Sequence, residues 1–370
     1  NLKLKKTIMD ILCKKLKLFA LALLLGFTAL SQEKVSKDIS KTYPFTNAGE
    51  LHLENKYGNI NIYGWVKNEV SITVNITVTD KKRENAQELL NRIKPVIRHS
   101  DKFISVNYEI VDKNSGFFSN LFEKANPFDF DRSNVQIDYK VYVPQKVELE
   151  VINKFGDVFI EDWVGILMAD VQHGDMWISD NLNKADVSMK YGKLRAKNIN
   201  YANIDITNGG LDMDHANTMR LNSSGSNIEI HQVESLEFYS NKDEVDIREI
   251  GTLYGNLKFS KLRLHRLKKD IDLNLKISDL WVKNILSATS KISLEQESSE
   301  IHINVINFPH VFSATLEEGL VRLPKSFHDV DSKMLDKGKK LREIKAKYGK
   351  KGQGYISISG KKGVVLIKEI

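Results

Sequence analysis

The sequence predicts a mainly β protein: a right-handed parallel β-helix, or β-solenoid, with coils of about 18 residues and a small α+β N-terminal excursion containing one helix. Two observations lead to this fold class. The segment Asn55–Trp65 has a near copy in Asn153–Trp163, and both begin with Asn-Lys, an aromatic residue and Gly. The later glycines then recur at spacings of 18, 18 and 17 residues, at Gly156, Gly174, Gly192 and Gly209. A fixed period of this size is typical of a repeat architecture.

Residues 1–31 predict a secretory signal peptide. Lysines up to Lys17 precede the apolar run Leu18–Leu30, and small residues at Ala29 and Ser31 predict cleavage after Ser31. The run has 13 residues, fewer than the roughly 20 that a transmembrane helix needs. We therefore expect export to the periplasm, the outer-membrane surface or the extracellular space, with no transmembrane span in the mature chain. An uncleaved anchor is the alternative.

Charge and cysteine content narrow the classes of function. The formal net charge is +7, but residues 1–31 carry six lysines and Asp10, a net of +5, which leaves about +2 for the remainder. This small excess gives no reason to expect nucleic-acid binding. The only cysteine, Cys13, lies in the predicted signal, so the mature chain has no disulfide, thiol nucleophile or cysteine-based zinc site.

The region 32–146 is predicted to combine a first coil with an α+β excursion that caps it. Residues 32–50 form a polar lead-in, and Leu51–Ile62 predicts two short strands around a turn at Gly58. Val70–Val78 alternates apolar and polar residues, as a half-buried strand does. Two further alternating strands are predicted, at Phe103–Ile110 and Val135–Val143.

One helix is predicted after Asp80, which is a candidate N-cap. One of its faces carries Ala86, Leu89, Leu90, Ile93 and Ile97. Since the open end of a coil exposes unpaired strand edges, we expect the excursion 66–146 to help cap the N-terminal end. This arrangement places Gly58 in the first coil and Gly156 in a later one.

The region 147–370 is predicted to be the β-solenoid domain. Apolar residues stand two and four positions after each glycine: Val158/Ile160, Met176/Ile178, Leu194/Ala196 and Leu211/Met213. A second apolar group follows in each unit: Met168/Val171, Val187/Met189, Ile204/Ile206, Met219/Leu221 and Phe238. Each unit is too small to bury its own apolar face, so stacking is expected to build one core. We expect right-handed connections and a positive φ at each glycine.

Two segments depart from the repeat. The loop 116–130 is rich in phenylalanine, including Phe117, Phe118 and Phe122. It either covers an apolar edge of the domain or forms an exposed patch for a partner or membrane surface. The segment 333–351, within a Lys-rich insertion near 329–352, is either a solvated insertion or a site for an acidic polysaccharide or anionic lipid surface.

These motifs together resemble a known family. The signal peptide, the Asn-Lys-Tyr/Phe-Gly-Asn/Asp-Ile/Val-x-Ile motifs, the strand that ends at Tyr142-Val-Pro144 and the serial Gly-x-x-x-Ile units are similar to those of the bacterial putative-adhesin family of secreted, uncharacterised β-solenoid proteins. The resemblance covers roughly residues 45–370 and implies the fold. It transfers no catalytic or binding residue.

No cofactor or metal site is predicted. The positions after successive glycines read Asp157, Asp175, Lys193 and Gly210, so no carboxylate ladder for stacked calcium continues. The histidines lack the spacing of a zinc protease. Four aspartates could flank the first coils and serve as the paired carboxylates of a glycosidase: Asp157, Asp162, Asp175 and Asp180.

Three functions therefore stay open. The first is an exported, non-enzymatic, adhesin-like scaffold that binds a polysaccharide or other surface polymer, an envelope component or a partner protein. The second is a carbohydrate-active enzyme on a β-helix, and the third is an accessory protein of an envelope signalling or secretion system. Aromatic side chains suit sugar and protein interfaces. The candidate contacts are Trp65, Trp163, Trp177, Tyr191 and Trp281, with packing at coil corners as the alternative.

Overall fold

A computed structural model describes residues 32–111, 134–350 and 353–369. The predicted signal peptide and the Phe-rich loop, with Phe117, Phe118 and Phe122, lie outside these residues. The described chain is mainly β, as predicted, and contains one helix, α1 (Arg83–Arg92). Within it no helix is long and apolar enough to cross a membrane.

The strands form one open hydrogen-bonded sheet. In chain order they are β1 (Glu33–Pro44), β2 (Glu50–Lys56), β3 (Ile60–Trp65), β4 (Glu69–Asp80), β5 (Ile93–His99), β6 (Phe103–Ile110), β7 (Val135–Pro144), β8 (Glu148–Lys154), β9 (Val158–Glu161), β10 (Ile166–Gln172), β11 (Met176–Lys190), β12 (Lys193–Thr207), β13 (Gly210–Ser224), β14 (Asn227–Asn241), β15 (Glu244–Lys258), β16 (Lys261–Leu267), β17 (Ile271–Lys276), β18 (Asp279–Val282), β19 (Lys291–Glu297), β20 (Glu300–Asn304), β21 (His310–Glu317), β22 (Leu320–Arg322), β23 (His328–Asp336), β24 (Leu341–Tyr348), β25 (Gly354–Lys361) and β26 (Val364–Lys368).

Contacts divide the chain into two compact units. The larger takes in Ile39–Val74, Pro95–Tyr108 and Ile137–Ile370, and the smaller includes Asn75–Lys94 and therefore α1. The predicted helix N-cap is wrong: the N-cap is Lys82, whose ammonium group has no acceptor and makes no cap bond. The Asp80 carboxylate, two residues earlier, accepts from the Lys82 N–H and from Asn85.

Two other local predictions near the N-terminus change. The polar lead-in 32–50 contains a strand, β1, whose residues are mostly exposed and so leave no apolar signal. The helical face predicted to run to Ile97 stops early, because Ile93 and Ile97 belong to β5. Only Ala86 and Leu90 are buried within α1.

Within the larger of the two compact units, the strands of successive repeats pair in parallel. Ile166 of β10 lies opposite Lys184 of β11, and Leu194 of β12 lies opposite Leu211 of β13. These register offsets of 18 and 17 equal the spacings of the glycines. Equivalent side chains therefore stack in columns along the sheet, one from each unit. The handedness of the connections stays a prediction.

The core consists of such columns. The column that starts two positions after the glycine is at most 1% exposed throughout: Ile60, Val158, Met176, Leu194, Leu211, Ile228, Val245, Leu262, Leu280, Ile301 and Val365. The prediction that these positions and those two residues later point inward is confirmed. The prediction that Met168 belongs to the inward apolar group is wrong, because Met168 is 51% exposed. Its neighbours Leu167 and Ala169 face the core instead.

The near-identical motifs at Asn55 and Asn153 adjoin each other directly. β2 pairs with β8 and β3 with β9, so that Asn55 lies opposite Asn153, 98 residues later. The other edges of β2 and β3 pair with β6 and β7, which come later in the chain. Strand order therefore differs from chain order in this part of the sheet.

Near the C-terminus, late strands are likewise placed between strands that come earlier in the chain. β25 pairs with β19 on one side and with β21 on the other, and β26 pairs with β20 and β22. The last strands of the chain thus lie between two earlier pairs. The Lys-rich insertion forms the antiparallel pair β23–β24, and β24 continues the sheet from β21.

The repeated glycines allow the backbones of neighbouring repeats to approach closely. The prediction that they hold a positive φ is wrong. The left-handed backbone falls on the residue before the glycine, at Phe155 (φ 60°), His173 (φ 57°) and Tyr191 (φ 57°). A Cβ on Gly174 would overlap the carbonyl oxygen of Gly156 in the neighbouring unit. Glycine is needed because it has no side chain where two turns touch.

Hydrogen bonds between units fix the register at these turns. In the early units the Asp157 carboxylate accepts from the backbone N–H of Asp175 at 2.8 Å. In the later units the glycine position holds a buried Ser or Asp. There the N–H of Ser226 donates to Asp243 at 2.8 Å, and the N–H of Asp243 donates to Ser260 Oγ at 3.1 Å.

We predict that Gly174→Ala lowers the free energy of unfolding by about 2–3 kcal/mol, because the new methyl group forces two backbones apart. Gly338→Ala is the matched control, since its Cβ would meet only Asp336 Oδ1 at 3.4 Å. Chemical denaturation measures both. Equal unfolding midpoints for the two variants would contradict the assigned role of the glycine.

We also predict that Ile277→Asn raises the free energy of unfolding, by roughly 0.5–1 kcal/mol. Ile277 is half exposed and has φ 48°, a conformation that β-branched residues rarely adopt and Asn tolerates. Ile306→Asn, at an exposed site without positive φ, should bring no gain. A loss of stability at position 277 would show that the side chain of Ile277 stabilises the fold by more than its backbone strain costs.

Candidate functional site

Four aromatic rings stack in an exposed column at the left-handed turn position. We call Tyr57, Phe155, His173 and Tyr191 the corner column. Ring centroids are 5.7 Å apart from Tyr57 to Phe155, 4.8 Å from Phe155 to His173 and 4.7 Å from His173 to Tyr191. Phe155 is 44% and Tyr191 55% exposed. The rings lie within 16° of parallel, so each inner ring exposes its edge and not its face.

The corner column follows from the turn geometry. Neighbouring strands lie about 4.8 Å apart, so equivalent rings in successive units meet at stacking distance. The next residue in this register is Asn208, which ends the column after Tyr191. Among the described residues no ring or cation covers the second face of Tyr191, whereas Lys56 lies 4.9 Å over Tyr57. The column therefore ends at Tyr191, whose outer neighbour is Asn208 and whose side chain is 55% exposed.

A second stack lies on the strands that follow the same turns. Phe159 and Trp177 are 4.4 Å apart, and the Arg195 guanidinium lies 5.0 Å over the other face of Trp177. Arg195 also pairs with Asp175 at 2.8 Å. Burial alone would raise the pKa of Asp175, but hydrogen bonds from Arg195 and the Lys193 N–H, with their charges, hold it below its usual range. Both faces of Trp177 are thus covered.

The remaining predicted tryptophan contacts are less available than expected. Trp163 is fully buried and its indole N–H donates to the Val147 carbonyl, so the prediction that it contacts a partner is wrong. Trp281 is covered by Arg263 on one face and His302 on the other. The ring of Trp65 is also partly covered, because it contacts Tyr142 and Lys67.

Three of the four aspartates proposed as paired carboxylates are already engaged through their carboxylates. Asp157 and Asp175 accept the backbone N–H groups of the following unit, and Asp180 accepts that of Asp162. A general acid must be protonated near neutral pH, which requires a raised pKa. The pKa of Asp175 is lowered instead. Asp157 and Asp175 thus hold the register of the turns.

In the part of the chain that the structure describes, one group of side chains could hold a divalent cation, and sequence reasoning missed it. His52 Nε2 contacts Glu50, and His52 Nδ1 lies 2.9 Å from Glu150. Burial raises the pKa of Glu54 above its usual range; Lys154 opposes this rise and Glu150 adds to it. Carboxylate and imidazole groups are suitable ligands for Zn²⁺. The offset of 98 between the two Asn motifs would have predicted that His52 lies opposite Glu150.

A shallow acidic groove of about 450 Å³ lies on the outward face of β13–β15. Asp212, Glu229 and Asp246 occupy equivalent positions there, in the same register as Arg195. Arg263 follows at the next position, and His265 lies 3.0 Å from Asp246. The acidic groups therefore stand between two arginines of the same column.

No protein-family model and no curated protein matches the sequence. Similar solved structures include a putative adhesin from Parabacteroides distasonis (14% identity, TM-score 0.36; 72% of this chain and 97% of that chain covered). A putative adhesin from Parabacteroides merdae is 13% identical, with a TM-score of 0.36 and coverage of 72% and 96%. A putative lipid binding protein from P. distasonis is 14% identical, with a TM-score of 0.31 and coverage of 72% and 92%. Two of these three carry the adhesin name of the family that the sequence resembles.

We predict that the tryptophans differ in their effect on stability. Trp163→Ala should lower the free energy of unfolding by about 3–5 kcal/mol, as expected for a buried indole. Trp177→Ala should cost about 1–2 kcal/mol, from the lost stack and cation–π contact. Denaturant titration of both variants measures the difference, and similar losses would contradict the surface assignment of Trp177.

Proposed function

We propose that the protein is an exported, non-enzymatic, adhesin-like β-helix that binds a polysaccharide along the corner column. The observation that carries this proposal is an exposed stack of four rings that ends at Tyr191, which is 55% exposed. The proposed coils are right-handed and about 18 residues long. Parallel register offsets of 17 and 18 support that length.

The chemistry of the column suits a sugar polymer. One face of a pyranose ring is rich in C–H groups, and it can pack on the exposed part of the Tyr191 ring. Further sugars along the chain would meet the exposed edges of His173 and Phe155. Charged pairs beside the column, Asp175–Arg195 and Lys193–Asp212, offer polar groups to sugar hydroxyls.

The proposal of a binding role without catalysis rests on the carboxylates. The aspartates next to the column are committed to backbone N–H groups, so they cannot serve as a free acid and base. We further propose that residues 32–146 cap the N-terminal end of the coils, since unprotected sheet edges promote aggregation. Trp65, Trp177 and Trp281 would then contribute only through their edges.

We predict that Tyr191→Ala abolishes or weakens polysaccharide binding by at least tenfold, because the ligand loses the exposed terminal ring of the corner column. Binding of the purified exported protein to an array of bacterial polysaccharides measures this. Tyr201→Ala is the matched control, since Tyr201 is 52% exposed and lies outside the column.

Three results would count against the proposal. Unchanged binding by Tyr191→Ala would move the site elsewhere, and equal losses in both tyrosine variants would indicate non-specific adsorption. Release of oligosaccharides from a bound polymer would favour the enzyme hypothesis.

A further inference from the structure

We propose that the hairpin β23–β24 docks on the surface of an anionic phospholipid bilayer. We call His328–Tyr348 the basic hairpin. This inference does not depend on the corner column, which is formed by other residues.

The basic hairpin has no partner on its outer edge. β24 is paired on both sides, with β21 and with β23, whereas β23 pairs only with β24 among the strands that the structure describes. All nine residues of β23 are exposed. Strand β23 therefore lies outside the packed core.

The basic hairpin carries a net positive charge. It contains seven Lys or Arg and four Asp or Glu residues, a formal net charge of +3. Some of these charges form ion pairs within the hairpin, such as Lys345 with Glu343 at 3.0 Å. Three lysines near the turn have no carboxylate partner in the described chain: Lys333, Lys337 and Lys339. They are free to meet an anionic surface.

Exposed apolar side chains stand among these lysines. Val330 is 56%, Met334 37% and Leu335 46% exposed. Met334 and Leu335 are consecutive at the turn end of β23, where the pairing with β24 is irregular between Met334 and Asp336. The tip thus presents two exposed apolar side chains beside its lysines. Such side chains can insert among lipid headgroups while the lysines contact the anionic charges.

The same features argue against other occupants. A second copy would bring two segments of net charge +3 together, and lysines on an edge strand are a device that prevents such pairing. A soluble polyanion would bind the lysines but would make no apolar contact with Met334 and Leu335. The combination of unpaired cations and an exposed apolar tip fits an anionic bilayer.

The test is co-sedimentation of the purified exported protein with lipid vesicles. We expect binding to vesicles of phosphatidylcholine mixed with phosphatidylglycerol and little binding to phosphatidylcholine alone. Lys333→Gln/Lys337→Gln/Lys339→Gln should weaken binding about 100-fold, since a lysine near an anionic surface contributes about 1 kcal/mol. The matched control is Lys184→Gln/Lys197→Gln/Lys258→Gln, at exposed lysines elsewhere, which should bind as the parent does.

Met334→Ser/Leu335→Ser separates a bilayer from a soluble polyanion. This variant should lose vesicle binding at least tenfold and keep its affinity for dextran sulfate. Failure to bind mixed vesicles, equal losses in both triple-lysine variants, or no effect of the serine substitutions would overturn the proposal. So would a concentration-dependent dimer that the hairpin variants abolish. Tyr191→Ala should bind vesicles normally, and thermal unfolding verifies that each variant folds.

Discussion

The close approach of backbones at the repeated turns is the constraint on which the rest of the structure depends. The turn of one unit touches the turn of the next, so a Cβ at Gly174 would overlap the Gly156 carbonyl oxygen. This contact holds the units in one register, and the register then aligns every column. Apolar columns close the core, and the residue before the glycine takes the left-handed conformation with its ring outside. The corner column is therefore a consequence of how the core is stacked.

The repeated turn is built in two chemically different ways in the early and the later repeats. In the early units glycine makes room, and a carboxylate one position later bridges to the next backbone N–H. In the later units a buried polar side chain replaces the glycine. Asp243 is only 2% exposed and accepts hydrogen bonds from the Ser226 N–H and from the hydroxyls of Ser223 and Ser240. Such a carboxylate is stable inside because donors surround it.

Commitment of the polar turn groups to structure decides where binding can occur. Carboxylates that hold the register are not available as catalytic acids, and tryptophans covered by a ring and a cation are not available as platforms. Side chains that are available to bind a ligand lie where a column ends or where the chain leaves the repeat. Tyr191 is an example of the first, and the basic hairpin is an example of the second. These two surfaces would suit a protein that attaches to an envelope and to a polymer.

The sequence by itself determined the spacing of the repeats and most of their inward positions, because alternation and spacing are local properties: Val158 and Ile160 face the core as predicted. It also singled out Tyr191. Only the tertiary structure decided which units are neighbours at the two ends, since the pairing of β2 with β8 and of β19 with β25 joins distant segments. It alone showed that Trp163 is buried and that Trp177 is covered. Such coverage depends on residues in adjacent units, and no pattern within one unit records what the next unit places against it.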